Sequence, residues 1–233
     1  MRLIFVRHGD PNYEKDCLTA KGKEQAIKTA ERLQEEKIKA IYSSPMGRAI
    51  ETASYTAKNH GLEIQELVFM HEIWWGDKNK DKNGVSNIPL DGHPWSISYN
   101  VLTESEDYIN GDKWKEHPYF KNNLCMDYFD RIKKGTDDLL QKYGLVREGG
   151  FYRCMEECND TIALFAHGGS GAIMFSHLLG ISFPIVLTTM PFGVCSVSVF
   201  DFAALKGEMT IPRLEIFNDM KHHKQSYSLK FEM

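Results

Sequence analysis

The chain has 233 residues, of which 42% are hydrophobic and 26% charged, with 28 basic residues against 32 acidic ones and a formal charge of −4. That is enough for one large α/β domain with a buried core, and residues 1–233 read as a single domain. The acidic balance lacks the basic footprint of a nucleic-acid binder, so local cations must do any anion binding. No stretch approaches the roughly 20 apolar residues of a membrane span, and the run Leu3–Val6 is too short for a signal peptide. The five cysteines (Cys17, Cys125, Cys154, Cys158 and Cys195) are odd in number and irregular in spacing, which fits reduced thiols in a cytoplasmic protein. Cys154 and Cys158 lack a second pair at zinc-site spacing and read as ordinary thiols.

In chain order, Arg2–Arg7 predicts a short buried strand, closed by Gly9 and Pro11. Thr19–Lys37 predicts a helix capped by Thr19, with Ala26, Ala30 and Leu33 on one stripe. Ala40–Ser44 is a second strand. Pro45 fits the first turn of a helix running to about Asn59 and closed by Gly61. Residues 74–122 are rich in Trp, Tyr, Asn, Asp, Lys and Gly and weakly periodic, and they read as a long insertion or lid with one short helix. Tyr128–Tyr143 is again helical, and Thr161–Ala166 is a buried strand leading through His167-Gly168-Gly169 into an apolar helix, Ser170–Leu179. Val194–Phe202 and Thr210–Phe217 read as two late strands paired across a turn at Lys206-Gly207, and the tail from Asn218 is polar. Strands alternating with helices predict an α/β fold with a largely parallel sheet, whose ligand site lies beyond the carboxyl ends of the strands. Two predicted strands end in the same chemistry, Arg7-His8-Gly9 and His167-Gly168-Gly169, so two histidines can meet in one pocket.

Further segments agree with these triplets. Leu18-Thr19-Ala20-Lys21-Gly22-Lys23-Glu24-Gln25-Ala26 has the form L-T-x-x-G-x-x-Q-A, and Ser43 to Ala53 has the form S-S-P-x-x-R-A-x-x-T-A with Arg48 at its centre. Glu72 precedes a glycine in His71-Glu72-Ile73-Trp74-Trp75-Gly76. In this order the segments resemble the histidine phosphatase superfamily, the group that contains the cofactor-dependent phosphoglycerate mutases. The resemblance covers positions 3 to about 175. It implies a three-layer α/β/α sandwich with a mostly parallel central sheet, and catalysis without metal or other cofactor.

The resemblance gives each residue a role that phosphoryl chemistry explains. A phosphoryl transition state spreads charge over three oxygens, so catalysis is mostly positioning and charge stabilisation. Arg7 and Arg48 offer planar forks to phosphate oxygens. His8 is the expected nucleophile, forming a phosphohistidine, with its second ring nitrogen fixed by a backbone carbonyl. His167 is expected to bind the phosphate from across the site, best as the cation, which the bound dianion favours and the arginines oppose. Glu72 is the expected general acid and then base, ahead of its neighbours Glu63, Glu66 and Asp77. The helix starting near Ser170 is expected to lend amide dipoles to the anion. His60, His93, His117, His222 and His223 read as solvated, and His71 as exposed.

Within that resemblance, hydrolysis of a small-molecule phosphate ester is favoured over mutase chemistry. The mutases carry R-H-G-x-S-x-W-N, whereas Pro11 and Glu14 stand at two of those positions here. They also use an arginine pair in the insertion, and this chain has no arginine between Arg48 and Arg131. Lys78, Lys80, Lys82, Lys113 and Lys115 are the remaining cations available to an acidic substrate. Phosphoglycerate mutase-type transfer and a non-catalytic phosphate-binding module stand as the alternatives. Trp74, Trp75, Trp95, Tyr99, Tyr108 and Trp114 either stack on a leaving group or form a satellite core. A homodimer through the insertion or the late strands is compatible with the sequence.

Overall fold

The computed structural model describes residues 1–223. Its elements run β1 (Arg2–Arg7), β2 (Pro11–Asn12), β3 (Cys17–Leu18), α1 (Ala20–Arg32), β4 (Ile38–Ser43), α2 (Gly47–His60) and β5 (Ile64–Glu66). Where one short helix was expected, the insertion contributes two, α3 (Pro94–Glu104) and α4 (Pro118–Lys121), followed by α5 (Cys125–Gln141), β6 (Leu145–Glu148), β7 (Phe151–Cys154) and β8 (Thr161–Ala166). The chain continues through α6 (Gly168–Leu179), α7 (Phe183–Thr189), β9 (Val197–Asp201), β10 (Met209–Thr210) and β11 (Arg213–Asp219).

Six strands form the central sheet in the order β11-β9-β1-β8-β4-β5. β1, β8, β4 and β5 pair in parallel, and β9 and β11 add an antiparallel edge. β1 is apolar throughout because both its faces are covered. Leu3 and Phe5 point into one core, with residues of α5 and α6. Ile4 and Val6 point into the other, with Ala53 and Ala57 of α2. Alternation along one strand thus feeds two cores, which makes the fold an α/β/α layering. Phe5 meets Phe175 of α6 edge-on at 5.4 Å.

The late strands pair as expected, β9 against β11. Gly61 closes α2 in the left-handed conformation at φ 64°. Two element boundaries differ from the sequence reading. α1 ends at Arg32, and Ile38 already belongs to β4. α2 begins at Gly47, because Ser44–Met46 form a turn in which Ser44 Oγ accepts the Met46 amide at 3.3 Å. In agreement with the reading of ordinary thiols, all five cysteines are free, with Cys154 at the end of β7 and Cys158 in the following loop. The first residues of the polar tail end β11 and form a short turn at Lys221–His223, while the rest lies outside the described residues.

The insertion is closed at its base, where the Lys78 amide donates to the Asn122 carbonyl and the Leu124 amide to that of Gly76. Its second half belongs to the main core. Trp114 is 1% exposed and packs on Phe120, Phe129 and Phe183 at 5.1 to 5.9 Å.

Candidate active site

Arg7 and His8 emerge at the carboxyl end of β1, where the His8 amide donates to the Ala166 carbonyl of β8 at 2.9 Å. The next residue is tied to α2: the Gly9 amide donates to Thr52 Oγ1 at 3.0 Å, and Thr52 Oγ1 donates to the Arg48 carbonyl at 2.7 Å. The Asp10 amide donates to Gln25 Oε1 at 2.8 Å, and Thr19 Oγ1 caps α1 by accepting the Gly22 amide at 3.0 Å. A Cβ on Gly22 would stand 2.2 Å from the Asp10 carbonyl oxygen, so this close approach requires glycine. The L-T-x-x-G-x-x-Q-A segment is thus a brace for the loop that carries His8.

The rings of His8 and His167 stand 5.1 Å apart, and both side chains are buried. His8 Nδ1–H donates to the Gly9 carbonyl at 2.7 Å, which leaves Nε2 unprotonated. Desolvation by burial, with Arg7 and Arg48 close by, pushes the His8 pKa down to about 3 although the Gly9 carbonyl opposes it. His167 pairs through Nε2 with Ser44 Oγ at 2.7 Å. Burial, then His8 and Arg48, hold His167 well below the usual histidine range.

Arg48 is 4% exposed and pairs with Asp16 Oδ1 at 2.5 Å, while Asp16 Oδ2 accepts the Gly47 amide at 2.7 Å. Arg7 donates through Nη1 to the Phe192 carbonyl. Arg7 Nε, Arg48 Nε and His167 Nδ1 are buried and make no hydrogen bond to any described residue. Two guanidinium N–H groups and one imidazole nitrogen beside the His8 ring are therefore free to meet an oxyanion.

Glu72 is brought to the same place. Its Oε1 accepts the amides of Ile73 at 2.9 Å and of Gly169 and Ser170 at 3.1 Å each. The first amides of α6 thus serve a carboxylate of the protein, where sequence reasoning gave them to the ligand. Burial raises the Glu72 pKa, while those amides and the two arginines oppose the rise. Arg7, Glu72, Gly168 and Gly169 line a cavity of about 640 Å³ that opens onto Trp75, His93 and Trp95 of the insertion and onto the stretch Leu187–Phe192.

The structure thus brings Arg7, His8, Arg48, Glu72 and His167 together. It corrects the reading of five histidines. His93 lines the cavity. His117 is buried against Glu104 Oε2 at 2.9 Å, and His60 contacts the Leu33 carbonyl at 3.2 Å. His222 and His223 stack at 3.9 Å and both contact the Cys195 carbonyl. Polar neighbours in sequence made them look solvated, but each is held by distant residues. Sequence reasoning also missed Asp16 and the 187–192 wall. No local pattern marks either, since both matter only through residues far along the chain.

Residues 3–85 match the family model of the Histidine phosphatase superfamily (branch 1). No curated protein matches the chain. Among solved structures, it is similar to mycobacterial glucosyl-3-phosphoglycerate phosphatase, with 22% identity, TM-score 0.61, and 93% of this chain and 98% of that one covered. It is similar to a phosphoserine phosphatase from Entamoeba histolytica in complex with 3-phosphoglyceric acid, with 21% identity, TM-score 0.58, and 95% and 98% covered. A third structure, mycobacterial hydrolase 1, has 20% identity and TM-score 0.62 over 94% and 98% of the two chains.

Proposed function

We propose that this chain is a histidine phosphatase that hydrolyses small phosphate monoesters through a phosphohistidine on His8, a reading supported by the match over residues 3–85 and by the likeness of fold. The observation that carries the reading is the set of three partnerless buried nitrogens, Arg7 Nε, Arg48 Nε and His167 Nδ1, beside a neutral His8 whose Nε2 bears a lone pair. The nitrogens suit a phosphoryl group, and the lone pair suits its phosphorus atom.

In this reading Nε2 attacks phosphorus and forms the P–N bond as the P–O bond to the leaving group breaks. Glu72 gives its proton to the leaving oxygen. Water then attacks the phosphohistidine, Glu72 takes a proton from it, and the P–N bond breaks to release phosphate. Burial favours a protonated Glu72 at the first step, and the phosphoryl dianion beside it favours the proton further. With Oε1 holding three amides, Oε2 is the oxygen that carries the proton. The same dianion raises the pKa of His167, so substrate binding promotes the cation that donates to it.

The test is release of phosphate from p-nitrophenyl phosphate in the presence of EDTA, with His8→Ala and Glu72→Gln beside the wild type. Turnover that survives EDTA and is lost in His8→Ala, together with acid-labile phosphate on the wild-type chain after rapid quenching, is the expected result. Full activity in His8→Ala would sink it. Labelling by 2,3-bisphosphoglycerate with transfer to a phosphoglycerate would replace hydrolysis by mutase chemistry. Phosphate binding with neither turnover nor labelling would indicate a binding module.

A further inference from the structure

The cavity beyond Arg7 and Glu72 has a composition of its own. Trp75 stands edge-on to His93, with ring centroids 4.8 Å apart, and to Trp95 at 6.1 Å, while His93 lies tilted by 31° on Trp95 at 5.2 Å. Met190, Pro191 and Phe192 supply further apolar lining. Trp75 is 40% exposed, an unusual degree for a tryptophan that also packs against two rings.

Beyond Arg7 and Glu72, the polar side chains lining it are the Tyr13 hydroxyl, His93, Thr188, Thr189 and the indole N–H groups of Trp75 and Trp95. Arg7 is the one arginine lining the cavity among the described residues, and no lysine lines it. Four of the insertion's lysines pair with carboxylates elsewhere: Lys78 with Asp127, Lys80 with Asp91, Lys113 with Asp107 and Lys115 with Asp112. Burial holds His93 below the usual histidine range, toward the neutral form. The hydroxyls of Thr188 and Thr189 donate to the Pro184 and Ile185 carbonyls of their own helix. A carboxylate or a polyhydroxylated group would lose its water here and find few replacements, whereas a flat apolar ring would gain contact.

The ring wall is also held in place. Asn123 is fully buried, and its Nδ2 donates to the Gly92 carbonyl at 2.7 Å while its Oδ1 accepts the Gly76 amide at 3.4 Å. One side chain thereby ties the residue after Trp75 to the residue before His93. Leu90, Asp91 and Gly92 are three successive left-handed residues at φ 56°, 50° and 73°, a backbone that non-glycine residues adopt only at a cost.

We infer that the leaving group of this site is an uncharged, ring-bearing apolar alcohol, stacked on Trp75 and Trp95, rather than a carboxylate-bearing alcohol such as glycerate or serine. The inference rests on the phosphatase reading above and names its substrate class.

The test compares kcat/KM for 2-naphthylmethyl phosphate with that for 3-phosphoglycerate and phosphoserine. All three are alkyl esters, so the ring does not win through a better leaving group. The expected result is a preference of at least about tenfold for the naphthylmethyl ester, the size of a well-made aromatic contact. Trp75→Ala and Trp95→Ala should each remove most of it by raising KM, and Trp75→Phe should keep most of it, which separates loss of stacking from loss of fold. Release of phosphate with a preference for the carboxylate esters overturns this inference and leaves the phosphatase reading standing. A naphthylmethyl preference that survives both alanine variants overturns its assignment to the ring wall. No release from any ester overturns the phosphatase reading and this inference with it.

Discussion

Gly169 and Glu72 share a space that admits only one of a carboxylate and a methyl group. A Cβ at position 169 would stand 2.6 Å from Glu72 Oε1 and 2.5 Å from Ile73 Cγ1. The glycine therefore sets the place of the carboxyl group as directly as any hydrogen bond does. Gly169→Ala should lower kcat by about 100-fold or more, the scale of a displaced general acid, while circular dichroism reports an intact fold. Steady-state kinetics with p-nitrophenyl phosphate checks this, and a kcat within threefold of wild type would separate Glu72 from the chemistry.

The pH profile should be asymmetric. His8, held near a pKa of about 3 by burial and by Arg7 and Arg48, stays neutral down to acid pH, so as the proposed nucleophile it should give kcat/KM no histidine limb near the ordinary value. As the proposed general acid, Glu72 would act while protonated; burial raises its pKa, so on that reading the rate should fall as pH rises through that pKa. Ionisation of the substrate contributes equally to wild type and to Glu72→Gln. The limb that differs between their profiles therefore belongs to Glu72, and identical limbs would assign the proton to another group.

Asp137 joins three elements. Its Oδ1 accepts from Tyr152 Oη on β7 at 2.7 Å and pairs with His177 Nε2 on α6 at 2.7 Å. Burial works against the Asp137 charge, but the hydrogen bonds from His177 and Tyr152 outweigh it and depress the pKa. A depressed carboxylate pKa stabilises the fold above the unfolded value near ~3.9, and that contribution fades as pH falls through the folded value. Asp137→Ala should cost about 1–3 kcal/mol at neutral pH by leaving buried partners unsatisfied, and less at acid pH. Urea unfolding at two pH values measures both.

Trp114 is a prediction about the insertion rather than the site. Because it fills the core against Phe120, Phe129 and Phe183, Trp114→Ala should cost about 3–5 kcal/mol of stability. Trp74, 60% exposed, should tolerate alanine within about 0.5 kcal/mol. Denaturant midpoints for the two variants test this difference directly.

The site residues were legible because their spacing is set by local geometry. Gly22 must be glycine for the loop to touch Asp10, because a Cβ there would stand 2.2 Å from the Asp10 carbonyl oxygen. Such requirements leave a fixed pattern in the sequence. The β6–β7 hairpin also had a signal, Gly149-Gly150 between two short strands, that the reading passed over. Other features left no mark. The Arg48–Asp16 pair, the gift of the α6 amides to Glu72 and the wall at 187–192 join residues far apart in sequence, which periodicity cannot report. The aromatic residues of the insertion divide by depth, Trp114 in the core and Trp75 and Trp95 at the cavity, although their sequence surroundings are alike.

The position of β1 between β8 and β9 sets a schedule for biosynthesis. At a ribosomal rate of about 5–20 residues per second, His167 is made about 8–30 s after His8. Throughout that interval the apolar strand that bears His8 has neither of its neighbours, because both are encoded late in the message. The centre of the sheet therefore closes late, and the four apolar residues Leu3 to Val6 stay unsheltered until β8 has been made.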